Sequence, residues 1–357
     1  MGVIKYGIIG AGAIAQRRHL PEAHANPLST VAAIADPVPG RAEAIAHHFN
    51  AQHYTDHRAL LKDPALDAVV VCSPNKLHAP ITIQALKAGK HVLCEKPMAT
   101  TRADARKMIR AAAEHRRHLM VAMNQRFMPA HITAKRLLET GRLGKPLTFH
   151  SAFKHAGPEA WSVDGAKSWF FDADAASLGV TGDLAVHKVD LLRFLLGQEF
   201  THVAANIDTL HKKGVDRKPL PLDDNALLNL RTDKQAMGTV AASWTTYAGE
   251  ENDTVIYCTD GVLRIGQHPD YALVVEYANG DREMHKVGEI ASQDHQPPSG
   301  VIDSFTECIR KNRKPEVDVV EGYRSLNTVL TAFDAARKNR TLPINHEIPN
   351  SRGKRRA

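Results

Sequence analysis

Three titratable residues sit in settings that suit proton transfer. Asp183 and His187 lie four apart in Gly182-Asp183-Leu184-Ala185-Val186-His187-Lys188-Val189-Asp190, so on a helix both project from one face and can act on one substrate. A neutral imidazole near its ordinary pKa can take a hydroxyl proton at neutral pH, and the carboxylate can orient it and hold the substrate. Lys96 stands in Cys94-Glu95-Lys96-Pro97, where Pro97 fixes φ and stiffens the turn. An ammonium there can hydrogen-bond a substrate oxygen and stabilise the alkoxide that develops during hydride transfer. The chain holds 20 histidines. His187 is set apart by its setting, between Asp183 and the apolar run Leu191, Leu192, Phe194, Leu195 and Leu196 that anchors the helix.

A second pattern supplies a place for a redox cofactor. The apolar run Val3–Ile9 leads directly into Gly10-Ala11-Gly12-Ala13-Ile14-Ala15, the form G-x-G-x-x-A. Gly10 permits the tight turn, Gly12 lets backbone approach a pyrophosphate, and Ala15 lets the helix lie close on the strand. The following helix N-terminus offers free N–H groups and partial positive charge, with Ala13 and Ile14 as neighbouring contacts. The next strand candidate, Thr30–Ala35, ends in Asp36, placed to accept from the adenosine ribose hydroxyls and to repel a 2′-phosphate. NAD is therefore expected, with NADP the alternative because Arg41 lies nearby.

These groups need a scaffold that brings strand ends together. Val3–Ile9, Thr30–Ala35, Ala68–Cys72, His91–Cys94 and Leu119–Met123 are near-continuous apolar runs, as in strands buried on both faces of a parallel sheet. Amphipathic stretches Arg41–Phe49, Pro80–Ala88 and Arg102–His115 alternate with them, which implies a doubly wound α/β domain over residues 1–125. In such a sheet ligands bind beyond the strands' carboxyl ends, which is where Lys96 falls. After a helix near Pro129–Thr140 the texture changes to longer alternating runs: Leu147–Lys154, His202–Leu210, Ala226–Arg231, Ala236–Thr246, Asp253–Thr259, Val262–Ile265 and Tyr271–Ala278. Turn residues such as Asp260-Gly261 and Asn279-Gly280-Asp281 separate several of them. Residues 126–345 are thus predicted to form an α+β domain with a large, mostly antiparallel open sheet. Its helices are expected near Asp183–Leu196, Val301–Asn312 and Tyr323–Lys338, and residues 346–357 form a basic tail.

Bulk properties exclude several classes. At 357 residues the chain exceeds one hydrophobic core. No apolar stretch is long enough for a membrane helix, and Met1–Gly12 lacks a leader's cleavage site, so a cytoplasmic protein is expected. Cys72, Cys94, Cys258 and Cys308 have neither metal-ligand nor redox spacing, and no metal site is expected. The net charge is +7, but Arg352, Lys354, Arg355 and Arg356 supply more than half of it, and no basic stripe interleaved with aromatics points to nucleic acid. Trp161 and the Trp169-Phe170-Phe171 cluster could stack on a sugar face or serve packing. Asp190 is placed either to reach substrate or to pair Arg193. Strands Ala236–Tyr247 and Thr254–Ile265 are apolar enough for a partner face.

Taken together, Gly10-x-Gly12-x-x-Ala15, Glu95-Lys96-Pro97 and Asp183-x-x-x-His187 resemble the signatures of the glucose–fructose oxidoreductase / inositol dehydrogenase / rhizopine-catabolism (Gfo/Idh/MocA) family. Ser73-Pro74-Asn75-x-x-His78 and Asn124-Gln125-Arg126-Phe127 are lesser echoes. The resemblance implies a Rossmann domain, a C-terminal open sheet that lines the active site and joins subunits as a homodimer or homotetramer, and oxidation of secondary hydroxyls of sugars, inositols or related polyols. It implies His187 as general base, Lys96 as alkoxide-stabilising donor and Asp183 as orienting group. Ser73, Asn75, His78, Glu95, Lys96 and Asn124 would approach the nicotinamide half of the cofactor, and Arg126 and Trp169 the substrate. Alternatives are a glycosidase that uses transient oxidation to drive elimination, and a non-enzymatic sugar- or cofactor-sensing protein. One departure stands out: Ala176-Ser177-Leu178-Gly179-Val180-Thr181-Gly182 replaces a common Gly-Gly-Gly run.

Overall fold

The computed structural model describes residues 2–214, 217–290, 292 and 296–348; most of the expected basic tail, beyond residue 348, lies outside them. Small and β-branched apolar residues form a six-stranded sheet of β1 (Ile4–Ile9), β2 (Ser29–Ala35), β3 (Gln52–Tyr54), β4 (Ala68–Val71), β5 (His91–Cys94) and β6 (Leu119–Val121). The order is β3-β2-β1-β4-β5-β6, parallel throughout. Every residue of β4 is buried, as a strand covered on both faces requires. The order reverses between β1 and β4, which opens a crevice at the carboxyl ends. β3 was not expected, since three residues are too few to show a period.

Helices α1 (Leu20–Ala25), α2 (Arg41–Phe49), α3 (His57–Leu61), α4 (Asn75–Lys87) and α5 (Arg102–His115) connect these strands. α2 and α5 have the expected bounds. α5 starts where the Thr101 side chain accepts from Asp104 N, satisfying one of the free amides of its first turn. α4 corrects the expectation of a start at Pro80, which lies inside the helix. Asn75 and His78 therefore sit on the helix itself.

The second sheet has nine strands: β7 (Pro146–Lys154), β8 (Phe200–Asp208), β9 (Asn225–Thr232), β10 (Met237–Ser243), β11 (Glu251–Cys258), β12 (Gly261–Ile265), β13 (Leu273–Tyr277), β14 (Arg282–His285) and β15 (Leu342–Pro343). They run β14-β13-β12-β11-β7-β10-β9-β8-β15. All pairs are antiparallel except β7 with β10, which is parallel. That pair matters for the site, because both strands deliver their carboxyl ends to one place: His155, just after β7, donates its N–H to Ser243 O at the end of β10 (3.0 Å). β14 and β15 were not expected.

α6 (Pro129–Glu139), the single turn α7 (Ala173–Ala176), α8 (Val186–Leu196), α9 (Val301–Lys311) and α10 (Val319–Lys338) complete the chain. α8 is buried almost all round and ends at Gly197 in the left-handed conformation (φ 59°), the C-terminal stop expected of that glycine. α9 returns to the first sheet, where Tyr6 Oη and Thr306 Oγ1 are 2.9 Å apart. Among the described residues no helix is long and apolar enough to cross a membrane.

Candidate active site

The carboxyl ends of β1, β2, β4, β5 and β6 meet one cavity of about 830 Å³, closed on its far side by the second sheet and α8. Gly10 has φ +91°, and a Cβ there would stand 2.5 Å from Cys72 O, so only glycine fits. A Cβ on Gly12 would meet nothing within 4 Å; the backbone is bare toward the cavity, as approach to a pyrophosphate demands. Ala13 and Ile14 line the same wall. The buried Asp36 carboxylate accepts from Ala11 N (2.8 Å) and Val38 N (2.9 Å), which fixes it at the end of β2. Arg41 lies 3.9 Å from Asp36 and reaches Asp164. These features fit the adenosine and pyrophosphate halves of a dinucleotide.

At the other end of the cavity an ion pair joins the two domains. Lys96 Nζ donates to Asp183 Oδ1 (2.8 Å) and to Asp183 O (3.0 Å). Asp183 lies in the widened turn Thr181–Ala185 that precedes α8, and its second oxygen accepts from Trp244 Nε1 (3.0 Å). Sequence reading missed Trp244: nothing local in Ala242-Ser243-Trp244-Thr245 tells where a buried indole N–H finds its acceptor. His187 lines the cavity one turn beyond Asp183. Burial first, then the charges of Lys96, Arg18 and Lys188, hold its imidazole well below the ordinary range, so the ring is a neutral proton acceptor at neutral pH.

His155 is a second imidazole on this wall that the sequence did not reveal. Its Nδ1 accepts from Gly157 N (2.9 Å), which leaves the ring hydrogen on Nε2. Burial lowers its pKa as well. Phe153 stands beside both rings, with centroids 5.9 Å from His155 and 6.0 Å from His187.

The remaining expected contacts divide. Glu95 lines the cavity, and against the cost of its burial, His19 (2.7 Å) with the charges of Lys96 and Arg18 brings its carboxyl down to about 2. Ser73, Asn75 and Asn124 also line it. Asn75 Nδ2 donates across to Ala176 O in the second domain (3.1 Å). Asn124 is 3.2 Å from the Arg18 guanidinium with its amide oxygen turned toward it. His78 borders the cavity, yet its two ring nitrogens face carbonyls, Pro97 O at 2.7 Å and Ser73 O at 2.8 Å. It ties the Lys96–Pro97 turn to the end of β4. Trp169 lines the cavity and stacks on Phe170 at 3.9 Å.

Arg126 is a correction. It does not face the cavity but makes a bidentate buried pair with Asp190 (2.6 and 2.7 Å), because the turn after β6 aims it beneath α8. Asp190 is correspondingly engaged there rather than with substrate.

The loop replacing the triple glycine keeps glycine where space requires it. A Cβ on Gly179 would lie 2.0 Å from Asp223 O, and one on Gly182 would lie 2.5 Å from Leu178 Cβ. The Asp223 carboxylate accepts from Gly179 N (2.8 Å) and Thr181 N (2.7 Å). Ser177 takes the left-handed conformation (φ 61°). The start of the Asp183–His187 segment is thus pinned by the residue that leads into β9.

A dinucleotide cleft ending in an ammonium, a carboxylate and a neutral imidazole defines an NAD-dependent oxidoreductase. Residues 4–123 match the family model described as oxidoreductase family, NAD-binding Rossmann fold, and residues 131–264 match the GFO/IDH/MocA C-terminal domain. The chain belongs to the Gfo/Idh/MocA family. It is 31% identical to levoglucosan dehydrogenase of Pseudarthrobacter phenanthrenivorans over 304 residues, 77% of each chain. It is 25% identical to the NAD(+)-dependent scyllo-inositol 2-dehydrogenase of Bacillus subtilis over 324 residues, 90% of each. Among solved structures, levoglucosan dehydrogenase in complex with NADH and levoglucosan superposes with a TM-score of 0.84 at 26% identity, covering 96% of this chain and all of that one.

Proposed function

We propose that the protein is an NAD-dependent dehydrogenase of a sugar, inositol or related polyol, with Lys96, Asp183 and His187 as its catalytic residues. The observation that carries this reading is the 2.8 Å Lys96–Asp183 pair, which closes a cleft shared by His187 and the bare backbone of Gly12. NAD, when bound, takes up or returns the hydride. His187 accepts the hydroxyl proton. Lys96 spends two N–H groups on Asp183 and has a third for the developing alkoxide. Trp244 fixes the other carboxylate oxygen, so the ammonium is held in place. His155 Nε2–H is suited to a neighbouring substrate oxygen, and Trp161 and Trp169 offer apolar faces to a ring. The relatives named for levoglucosan and scyllo-inositol support this substrate class.

Residues 1–125 would hold the cofactor and residues 126–345 the substrate. The test is a panel of hexoses, anhydrosugars, inositols and sugar acids offered with NAD⁺, following the absorbance of NADH. Reduction with at least one is expected. No reduction by any, with cofactor bound, overturns the reading; aglycone release from a glycoside without net reduction replaces it by the elimination route.

The outer face of the second sheet exposes Leu147, Leu227, Met237 and Tyr257, each at least 41% accessible, an apolar set that suits a second copy. A dimer or tetramer is expected by light scattering, reduced to monomer by Leu227→Glu with Met237→Lys.

A further inference from the structure

Lys188 is the anomaly of the catalytic helix. Its side chain is fully buried, and its Nζ has no hydrogen-bond partner among the described residues. A buried ammonium without a partner is rare enough to need a reason. It adjoins His187 in sequence, and both are neighbours of one aromatic ring. Lys188 Nζ lies 5.7 Å from the centroid of Phe153, and the His187 ring lies 6.0 Å from it. The nearest carboxylates do not neutralise the ammonium by contact.

We propose that Lys188 is a positioning residue for the reaction: its buried charge, acting past Phe153, adds to burial and to the charges of Lys96 and Arg18 in keeping His187 in the unprotonated form that accepts a substrate proton. This rests on the reading of His187 as proton acceptor.

Among the cations that face His187, Lys188 is the one whose charged atom no hydrogen bond holds, although burial, Lys96 and Arg18 each weigh more on the imidazole. Three cations bear on His187, namely Lys96 from the turn after β5, Arg18 from the turn before α1, and Lys188 from its own helix. Lys96 is offset by Asp183 at 2.8 Å, and Arg18 feels Glu95 and Glu22. Lys188 feels Asp253 of β11 and Glu250 just before it, without a hydrogen bond to either. Asp253 Oδ2 is engaged by Gln267 (2.8 Å). From α6 comes His131, which burial, then Lys188, push down to about 3, so that it is neutral.

The sign of the effect follows from the order of protonation. Burial pushes Lys188 down to about 7, so it is charged below that pH. Burial, Lys96 and Arg18 already hold His187 well below the ordinary imidazole range. As pH falls, Lys188 therefore acquires its proton before His187 would, and its charge opposes the second protonation. The acid limit of dehydrogenation therefore lies lower than burial and the other two cations alone would set it.

The experiment is the NMR titration of His187 in histidine-labelled protein, wild type against Lys188→Met and Lys188→Arg, with His187→Asn to assign the resonance. In Lys188→Met the midpoint is expected to rise by about one pH unit, the size of a single charge acting at this range. The acid limb of kcat/KM should move with it, so that turnover on that limb falls about tenfold while the alkaline plateau is unchanged. Lys188→Arg keeps the charge and should keep the midpoint. An unmoved midpoint in the folded Met variant, or an equal rise in the Arg variant, overturns the proposal. Should Met fail to fold, Lys188→Gln gives the same comparison. The titration needs no substrate, so absence of turnover in every variant counts against the dehydrogenase reading alone.

Discussion

Replacing Lys96 by Met is expected to lower kcat about 10²–10³-fold while leaving NADH affinity within a few fold. Removing one preorganised donor from a developing oxyanion has that effect in water-excluded sites. The ammonium is tied to Asp183 through two hydrogen bonds, so its third N–H is aimed before substrate arrives. Cofactor affinity should survive because the features that fit a pyrophosphate and ribose, Gly10, Gly12 and Asp36, lie at the other strand ends. His187→Asn is expected to cost about 10²–10⁴ in kcat, the range of a lost general base, and the double variant should be little worse than the worse single one, since the two groups act on one oxygen. Lys96→Arg should not rescue, because a planar guanidinium cannot keep the same contacts to Asp183 O and Oδ1. Stopped-flow turnover and NADH fluorescence titration separate the two readouts. Near-normal turnover in either single variant would dismiss the assigned roles.

The residues proposed to carry the chemistry stand out in the sequence because each belongs to a local pattern. Gly10 and Gly12 follow a strand and precede a helix, and the space around them in the fold is what their spacing implies. α2 and α5 kept their bounds because apolar periodicity runs over nine and fourteen residues and each helix stops at a left-handed residue, Asn50 or Arg116. α4 did not, since Pro80 resembles a first-turn proline and hides the turn before it. The direction of the β7–β10 pair has no local signature, as the same alternation suits either neighbour. For that reason His155 and Trp244, which depend on that pair, were invisible, as was the meeting of Arg18 with Asn124 across the cleft. Lys188 was visible only as one letter beside His187; its burial is a product of α8 being enclosed by α6, α10 and the second sheet.

Replacing Arg126 by Met is expected to lower folding stability by about 3–5 kcal/mol, the usual effect of stranding one member of a buried pair, with KM for the sugar unchanged. Arg126 Nε and Nη2 hold both oxygens of Asp190 at 2.6 and 2.7 Å, and its guanidinium also reaches Glu321 at 3.2 Å. Ser325 Oγ donates to the same Asp190 oxygen (2.8 Å). The network thereby joins the turn after β6 to α8 and α10, the elements that set where His187 stands. Without Arg126, Asp190 keeps Ser325 and only a distant Arg193 at 3.8 Å, which is itself committed to Glu199 at 2.8 Å. A buried carboxylate so placed pays for its desolvation without a close partner. Removing both charges together, as Arg126→Met with Asp190→Leu, should recover much of the loss, because no unpaired ion then remains. Urea unfolding measures the first effect and sugar saturation curves the second. A raised KM with unchanged stability would return Arg126 to the substrate side of the cleft.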